Sequence, residues 1–322
     1  MSRALSISAL NTVEVGATAD QTKADIDALG INGVNKNWII NGDFQISQRG
    51  SYTSATALTT SSVYHLDRFK SKHNNISGTV AHKLAQTVNG KVTNTMLLTA
   101  TAGSNGRVEG VQRIEATQPF VSQTITFSAW VKSNSASSRL IIHQGGANIQ
   151  TSSNQHTGGG AFELLKGTVT CAANSGDIFL YAGIQAAGTG NVAIANGHYF
   201  EMAFVQVEHG SVVTDFEHRS YGEELALCQR YYQARSLHDY IAFHYSTYAY
   251  SVIPLGIEMR AAPTVTTVGQ GTSYYEAGAT RNFSVSSVGS STSRVNIVGN
   301  VTGGTQGYSG TFYPVYQASA EL

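Results

Sequence analysis

Short segments in which apolar and polar residues alternate recur along most of this 322-residue chain, and they constrain its fold more than any other feature. In TITFSAWVK, one face would carry Ile125, Phe127, Ala129 and Val131, and the opposite face Thr126, Ser128, Trp130 and Lys132. A period of two is typical of a β-strand that is buried on one side. Because no long helical pattern separates these segments from Asn37 to about Arg219, the sequence predicts an all-β fold there, an antiparallel sandwich or jelly roll.

Two segments at the ends of this region are also expected to form strands. The first is NWIINGDFQIS, residues 37–47. The second is YFEMAFVQVE. We expect one face of this strand to carry Phe200, Met202, Phe204 and Gln206. The opposite face would carry Glu201, Ala203, Val205 and Val207.

After Ser220 the pattern changes to that of a helix. In YGEELALCQRYYQ, the residues Leu225, Cys228 and Tyr232 recur at helical spacing. Acidic residues follow the start of the pattern, where the helix dipole favours them. This predicts one helix of about three turns. Strand-like segments then resume and predict a second, smaller β unit.

The chain is therefore expected to have three parts. Residues 1–35 are poor in large apolar side chains, and TADQTKADIDALG is typical of a short helix that needs a partner surface, so we interpret them as an attachment segment. Residues 36–220 form the predicted jelly roll. Residues 221–322 comprise the linking helix and a carboxy-terminal β tip.

The composition argues against several classes of partner. Charged residues make up only 12% of the chain, about half the usual ~25%, and the formal net charge is zero, so binding to nucleic acid is not expected. No segment is apolar enough for a signal peptide or a membrane span. The two cysteines, Cys171 and Cys228, are expected to be buried thiols, and neither a metal nor a cofactor is predicted.

Two stretches resemble proteins described as tail fibre or structural proteins of tailed bacteriophages. They are NWIINGDFQISQRG, followed by LDRF, and FVQVEHGSVVTDFEHRSYGEELALCQRYYQ, followed by MRAAPTV, and together they bracket residues 37–265. The Asn-Gly-Asp-Phe start is also similar to that of many carbohydrate-binding modules of jelly-roll fold. Those modules often carry an acidic residue of a structural calcium site where this chain has Gln45, so the resemblance does not bring that site to this chain.

The resemblance implies a virion component with a jelly-roll body, a carboxy-terminal β tip and threefold assembly, used in host attachment or as a fibre element. The segment TADQTKADIDALG is similar to the amino-terminal segments through which such proteins join the virion. Residues 1–35 are accordingly expected to bind other tail or virion proteins.

One polar cluster could supply catalytic groups, namely Glu208, His209, Asp215, Glu217, His218 and Arg219. A glycoside hydrolase needs two carboxylates that face its substrate. The alternative is a hydrogen-bonded network that fixes the sandwich against the helix, and we favour this interpretation because structural polar networks outnumber catalytic ones. No sequence motif of a nucleophile, nucleotide site or metalloprotease is present, so an enzyme is not predicted.

Asp67 and Arg68 have two possible roles as well. They could hold a ligand, but a partly buried pair that sets the register of two strands is favoured, with Leu66 and Phe69 packing beside them. Either Trp38 or Trp130 could stack on a sugar. For Trp38, core burial is the favoured interpretation, whereas the exposure of Trp130 stays open.

The tip is rich in tyrosine, which combines a flat apolar ring with a hydroxyl and suits recognition of glycans or proteins. The candidate receptor or glycan-binding residues are Tyr240, His244, Tyr248, Tyr250, Tyr274 and Tyr275. For the strand tyrosines, core or subunit packing is the favoured interpretation, whereas for Tyr274 and Tyr275 packing and recognition carry equal weight. Tyr274 and Tyr275 are expected in a turn-like setting.

Together these features predict a non-enzymatic tail fibre or related virion protein, a homotrimer made in the bacterial cytoplasm. Its outward partner would be a host surface glycan or protein, and membrane insertion is not expected. The alternatives are a polysaccharide-degrading tailspike and a glycan-binding module.

Overall fold

The computed structural model describes residues 37–59, 61–114, 118–236, 239–241, 243–244, 247–267, 273–276, 279–302, 310–312 and 315–321. It describes the backbone alone at 118, 235–236, 239–241, 243–244, 267, 273–276, 279–283, 285, 287, 310–312 and 315. The predicted attachment segment, with its helix, lies outside the described residues.

A sandwich of two antiparallel sheets forms the larger part of the molecule. Its strands are β1 Thr56–Ala57, β2 Ser62–Leu66, β3 Phe69–Asn74, β4 Gly78–Val88, β5 Lys91–Ala100, β6 Ser104–Ile114, β7 Thr124–Ser133, β8 Ser138–Gln144, β9 Ile149–Ser152, β10 Phe162–Thr170, β11 Ile178–Ile184, β12 Val192–Ile194 and β13 Tyr199–His209. The first sheet has the order β1-β4-β5-β13-β7-β10. The second has the order β2-β3-β6-β11-β8-β9, and β12 pairs with β6. The predicted jelly-roll sandwich is confirmed.

The core lies between these two sheets and follows the predicted alternation. On β7, the residues Ile125, Phe127, Ala129 and Val131 are all fully buried in it. The second sheet contributes Ile142 from β8 among others. Full burial of each large apolar side chain stabilises the fold by about 1.5–3 kcal/mol.

The alternation predicted for β13 is wrong beyond Ala203. The register against β7 runs from Ala203 opposite Trp130 to Gln206 opposite Ser128, so β13 has one extra residue. Phe204 adopts a left-handed backbone conformation (φ 51°) at this bulge. Its side chain joins a cluster outside the core, whereas Val205 packs in the core.

Residues 37–48 form no strand, contrary to expectation, although Ile39 and Phe44 are buried. Asn41 and Phe44 have positive φ angles, which interrupt an extended chain. The backbone groups of this segment form separate hydrogen bonds with distant residues instead of a strand ladder. Ile40 exchanges two hydrogen bonds with the amide of Gln112, at 2.9 and 2.8 Å. The backbone N–H of Val205 at the bulge donates to the carbonyl of Gly42, at 2.8 Å.

The predicted helix, α1, spans Tyr221–Gln229. A capping box formed by Ser220 and Glu223 begins it. It is shorter than predicted, because Tyr232 already belongs to the next strand. Cys228 is buried as expected, and so is Glu224.

The smaller β unit follows α1. Its strands are β14 Tyr232–Ser236, β15 Asp239–Ile241, β16 Phe243–His244, β17 Tyr248–Pro254, β18 Thr264–Thr267, β19 Ser273–Glu276, β20 Ala279–Ser290, β21 Arg294–Thr302, β22 Gly310–Phe312 and β23 Val315–Ser319. They form a sheet β14-β23-β18 and a sheet β15-β22-β19-β20-β21-β17-β16. Ile253, Ile297 and Tyr316 are among the residues of a separate core. Within the described residues, no helix is long and apolar enough to cross a membrane.

Candidate functional site

The predicted polar cluster separates into several structural contacts. Arg219, whose side chain is 6% exposed, donates to the carbonyl oxygens of Asn37 and Ile39, the latter at 3.0 Å. Glu217 accepts from the backbone N–H of Asn37 at 2.8 Å and lies 3.2 Å from Arg219. These bonds fasten the first residues of the body to the chain just before α1.

The other members of the cluster lie elsewhere. Glu208 is buried, and its carboxylate accepts from the backbone and hydroxyl of Thr214 and from the amide of Gln206. His209 stacks on Phe120 with ring centroids 5.2 Å apart, and burial lowers the pKa of its imidazole. Asp215 and His218 are exposed. The cluster therefore does not assemble into one constellation around a shared substrate position.

Asn41 connects three parts of the chain from a fully buried position. Its amide nitrogen donates to the carbonyls of Ile46, at 2.9 Å, and Asp67, at 3.0 Å. Its backbone N–H donates to Glu224 of α1. Burial raises the pKa of the Glu224 carboxyl, although the bond from Asn41 and the nearby Arg219 oppose this shift. Gly42 beside it has no room for a side chain, because a Cβ would lie 2.2 Å from the Val205 oxygen.

Asp67 and Arg68 lie in the turn between β2 and β3, and each bonds to a more distant residue. Asp67 accepts from the backbone and side chain of Gln48, at 2.6 and 2.7 Å. Arg68 is 1% exposed, forms an ion pair with Glu321 and lies 3.5 Å from the centre of the Tyr231 ring. The expected role of the pair in setting strand register is replaced by a role in joining the body to the tip. The predicted burial of Leu66 and Phe69 is confirmed.

Arg49 completes this contact between body and tip. Its guanidinium lies 2.8 Å from Glu321 and 3.7 Å from the centre of the Tyr232 ring. Gln48 donates to the carbonyl of Tyr232 at 3.0 Å. We call the contacts of Gln48, Arg49 and Arg68 with Tyr231, Tyr232 and Glu321 the junction. The junction therefore joins residues 48–49 and Arg68 of the body to residues 231–232 and Glu321 of the tip.

A different surface has the features of a binding site. A groove of about 320 Å³ lies on the outer face of the first sheet. Trp130 of β7, Leu164 of β10 and Phe204 of β13 line it from the sheet. The loop after β13 contributes Phe216, whose ring centroid is 5.1 Å from that of Phe204. Trp130 is half-buried, so part of its indole remains accessible.

The bulge in β13 builds this groove. It turns Phe204 toward the outer face, whereas regular alternation would have directed it into the core. Phe204 then packs with Trp130, Phe162 and Phe216 in a small outer cluster. The aromatic side of the groove therefore depends on one inserted residue.

Polar groups surround the aromatic rings. Gln206 is 1% exposed, and its amide is held by bonds to Glu208 and to the backbone N–H of Glu217, both 2.9 Å. Lys91, beside the β4–β5 turn, and Lys166 on β10 are exposed at opposite sides. An aromatic surface bordered by exposed hydrogen-bond donors is suited to a ligand that presents both apolar faces and hydroxyl groups.

The outer face of the second sheet carries a buried carboxylate. Glu109 on β6 is fully buried, with Arg107 at 3.4 Å and Lys72 at 3.9 Å. Neither carboxylate oxygen has a hydrogen-bond partner within the described part of the chain. Burial raises the pKa of this carboxyl, and the two cations oppose the shift.

Two candidate tyrosines of the tip, Tyr248 and Tyr250, have described side chains, and neither lines the groove. On β17, Tyr248 is 44% and Tyr250 is 36% exposed, and they alternate with buried residues. The side chains of Tyr240, His244, Tyr274 and Tyr275 lie outside the described residues. The backbone at Tyr274 and Tyr275 forms β19, so the expected turn-like setting is wrong.

The cysteines are both free and buried, as predicted. Burial raises the pKa of the Cys171 thiol to about 11. Over the described ranges, no group of three or more His, Cys, Asp or Glu residues is arranged to hold a metal ion. The side chain of Gln45 instead donates to Asp43.

Two of the groove residues were candidate functional residues from the sequence, and the others were not. Trp130 was an open candidate, and Asp215 had been assigned to the polar cluster. The positions of Asn89, Lys91, Leu164 and Lys166 depend on strand pairing, and no local motif marks them. The one available signal was Trp130 on the polar face of an amphipathic strand.

No family model matches the chain, and no curated protein matches its sequence. Among solved structures it is similar to the enzymatically active domain of tailspike protein 4 of bacteriophage CBA120, with 10% identity and a TM-score of 0.36 over 54% of this chain and 21% of the other. It is also similar to a carbohydrate-binding module of the β-sandwich superfamily, with 14% identity and a TM-score of 0.31 over 44% of this chain and 57% of the other.

A third similar structure is TmCBM61 in complex with β-1,4-galactotriose, with 11% identity and a TM-score of 0.32 over 55% of this chain and 100% of the other. The chain spans less than two thirds of the first two structures. At TM-scores this low, the likenesses carry no argument about ligand or activity.

Proposed function

We propose that this chain is a non-enzymatic, glycan-binding component of a bacteriophage tail, a tail fibre or related virion protein that contributes to host attachment. The observation that carries the glycan-binding part is the groove, where Trp130, Phe204 and Phe216 face a cavity of about 320 Å³ bordered by fixed polar groups. Sugar rings have apolar faces and a periphery of hydroxyls, and they match such a surface. The tail assignment rests on the two resembling stretches.

The carboxylates around the groove support a binding role over hydrolysis. Among the described residues that line it, Asp215 is the only carboxylate. Hydrolysis of a glycosidic bond ordinarily uses two carboxyl groups across the scissile bond. The nearby Glu208 is enclosed by donors from Gln206 and Thr214.

An array of bacterial capsular polysaccharides and lipopolysaccharide O-chains tests this function. We expect the full-length protein to bind at least one of them and to release no new reducing ends on prolonged incubation. Release of reducing ends would establish the degrading tailspike instead. Binding that survives Trp130→Ala but is lost in Tyr248→Ala would move recognition from the groove to the tip.

The proposal includes assembly as a homotrimer in the virion, attached through residues 1–35 to other tail proteins. Light scattering at concentrations where the protein is folded should give three times the mass of the 34.2 kDa chain. A monomer under those conditions would contradict the trimer without affecting glycan binding.

A further inference from the structure

The charges of the groove differ from those of the junction. Lys91 and Lys166 are both exposed, and neither ammonium group forms an ion pair with any residue in the described ranges. The cations of the junction, in contrast, are paired with Glu321. Within the described part of the chain, the groove therefore presents two lysine charges that no ion pair neutralises.

The two lysines lie on opposite sides of the aromatic surface. Lys91 is on β5 and Lys166 on β10, and the sheet order β5-β13-β7-β10 puts two strands between them. Three strand spacings of about 4.8 Å separate such positions by roughly 14 Å. This separation is too large for one small anion to contact both lysines, so they would contact charges on separate sugar units.

The carboxylates near the groove do not cancel this charge. Asp215 lies in the lining and contributes one negative charge against the two lysines. Glu208 is turned toward Thr214 and Gln206. Glu201, on the same face of β13, accepts a hydrogen bond of 2.6 Å from the Thr95 hydroxyl and is buried.

We infer that the groove selects negatively charged glycans, in which carboxylate- or phosphate-bearing sugars recur along the chain. This inference rests on the proposed glycan-binding function and narrows it to a class of ligand. Trp130 would stack on a sugar ring, while Lys91 and Lys166 would contact anionic groups on units to either side. Attraction between exposed charges weakens as salt is added, so binding should weaken as well.

The test uses the full-length protein and the same polysaccharide array, with each acidic polymer also supplied after chemical reduction of its carboxyls or removal of its phosphates. We expect the acidic polymers to bind, and their neutralised forms to bind about tenfold more weakly, as loss of two exposed charge contacts implies. Carboxyl reduction and dephosphorylation separate the two sources of charge.

Substitutions then assign the effect to the groove. Lys91→Gln and Lys166→Gln should each weaken binding of acidic polymers by about two- to fivefold. Lys83→Gln makes the same change in net charge at an exposed position outside the groove lining and should leave affinity unchanged. Circular dichroism of each variant checks that the fold is intact.

The outcomes separate this inference from the proposed function. Equal binding of the native and neutralised polymers, or of the wild type and the double lysine variant, would overturn the charge selection and leave glycan binding standing. If the array contains no ligand at all, both are wrong.

Discussion

The junction and the groove both place cationic side chains near aromatic rings, yet they differ in what the cations can reach. At the junction, Arg68 is 1% exposed and contacts Tyr231 and Glu321. In the groove, Lys91 and Lys166 are exposed beside Trp130. Buried charge with an internal partner holds two parts of the chain together, whereas exposed charge without one is available to a ligand.

This contrast also separates two kinds of sequence information. Apart from Glu321, the junction and the bonds around Asn41 come from residues 37–50, 66–69 and 204–233. The lysines and Trp130 of the groove come from the segments between them. The contacts that hold the chain together and the charges that face the groove therefore lie in different parts of the sequence.

The largest expected effect comes from removing a buried cation. Arg68→Ala leaves Glu321 with only Arg49 and opens space beside Tyr231, so we expect the free energy of unfolding to fall by about 3–5 kcal/mol. Guanidinium chloride unfolding followed by circular dichroism measures this loss. Arg113→Ala is the matched control, because the Arg113–Asp177 ion pair is partly exposed to solvent and should be worth about 1 kcal/mol. Equal losses in both variants would remove the distinction between junction and surface charges.

A smaller effect, on binding instead of stability, is expected in the groove. Trp130→Ala should weaken glycan binding by about 30-fold, equivalent to ~2 kcal/mol, because it removes a central aromatic contact. Titration calorimetry with a ligand found on the array measures it. Trp130→Phe keeps an aromatic ring and should retain part of the affinity, and Arg68→Gln should affect stability more than binding. Unchanged affinity in Trp130→Ala would contradict the location of the site.

The smallest effect concerns Glu109, a buried carboxyl without the hydrogen bonds found at the junction, and the way its contribution to stability depends on pH. Burial raises the pKa of Glu109, so the folded state favours the protonated carboxyl, and its contribution to stability is lost as pH rises through the folded pKa. Glu109→Gln stays neutral. It should therefore be more stable than the wild type at pH 8, and the difference should vanish below about pH 4, where the carboxyl is protonated in both states.

Urea unfolding across this pH range provides the measurement. Glu258→Gln, at an exposed position, controls for the general change in net charge. A Glu109→Gln variant that is less stable than the wild type at pH 8 would mean that Arg107 and Lys72 outweigh the cost of burial.

Local pattern was sufficient to predict much of the fold. The alternation on β7 identified the residues that enter the core, and the helical spacing after Ser220 located α1. The pattern on β13 failed at Phe204, because a bulge depends on how two strands pair and leaves no clear local signature. The strand predicted for residues 37–47 was wrong for a related reason, because the backbone of this segment bonds to distant partners such as Gln112.

The sites were harder to predict than the strands. Asp67 and Arg68 were expected to form a partly buried pair, but Arg68 is fully buried and its ion-pair partner is Glu321, 253 positions away. Lys91 and Lys166 line the same groove only because of the order of the strands in the sheet. Periodicity reports which side of a strand is buried, and it carries no information about which strands meet.

The bulge at Phe204 has a consequence for how this protein can change under selection. Deleting one residue there would restore regular pairing between β13 and β7, and it would also withdraw an aromatic ring from the groove. The deletion would also disturb the bond from the backbone N–H of Val205 to Gly42. The shape of the groove and the anchoring of residues 37–47 therefore cannot change independently at this position.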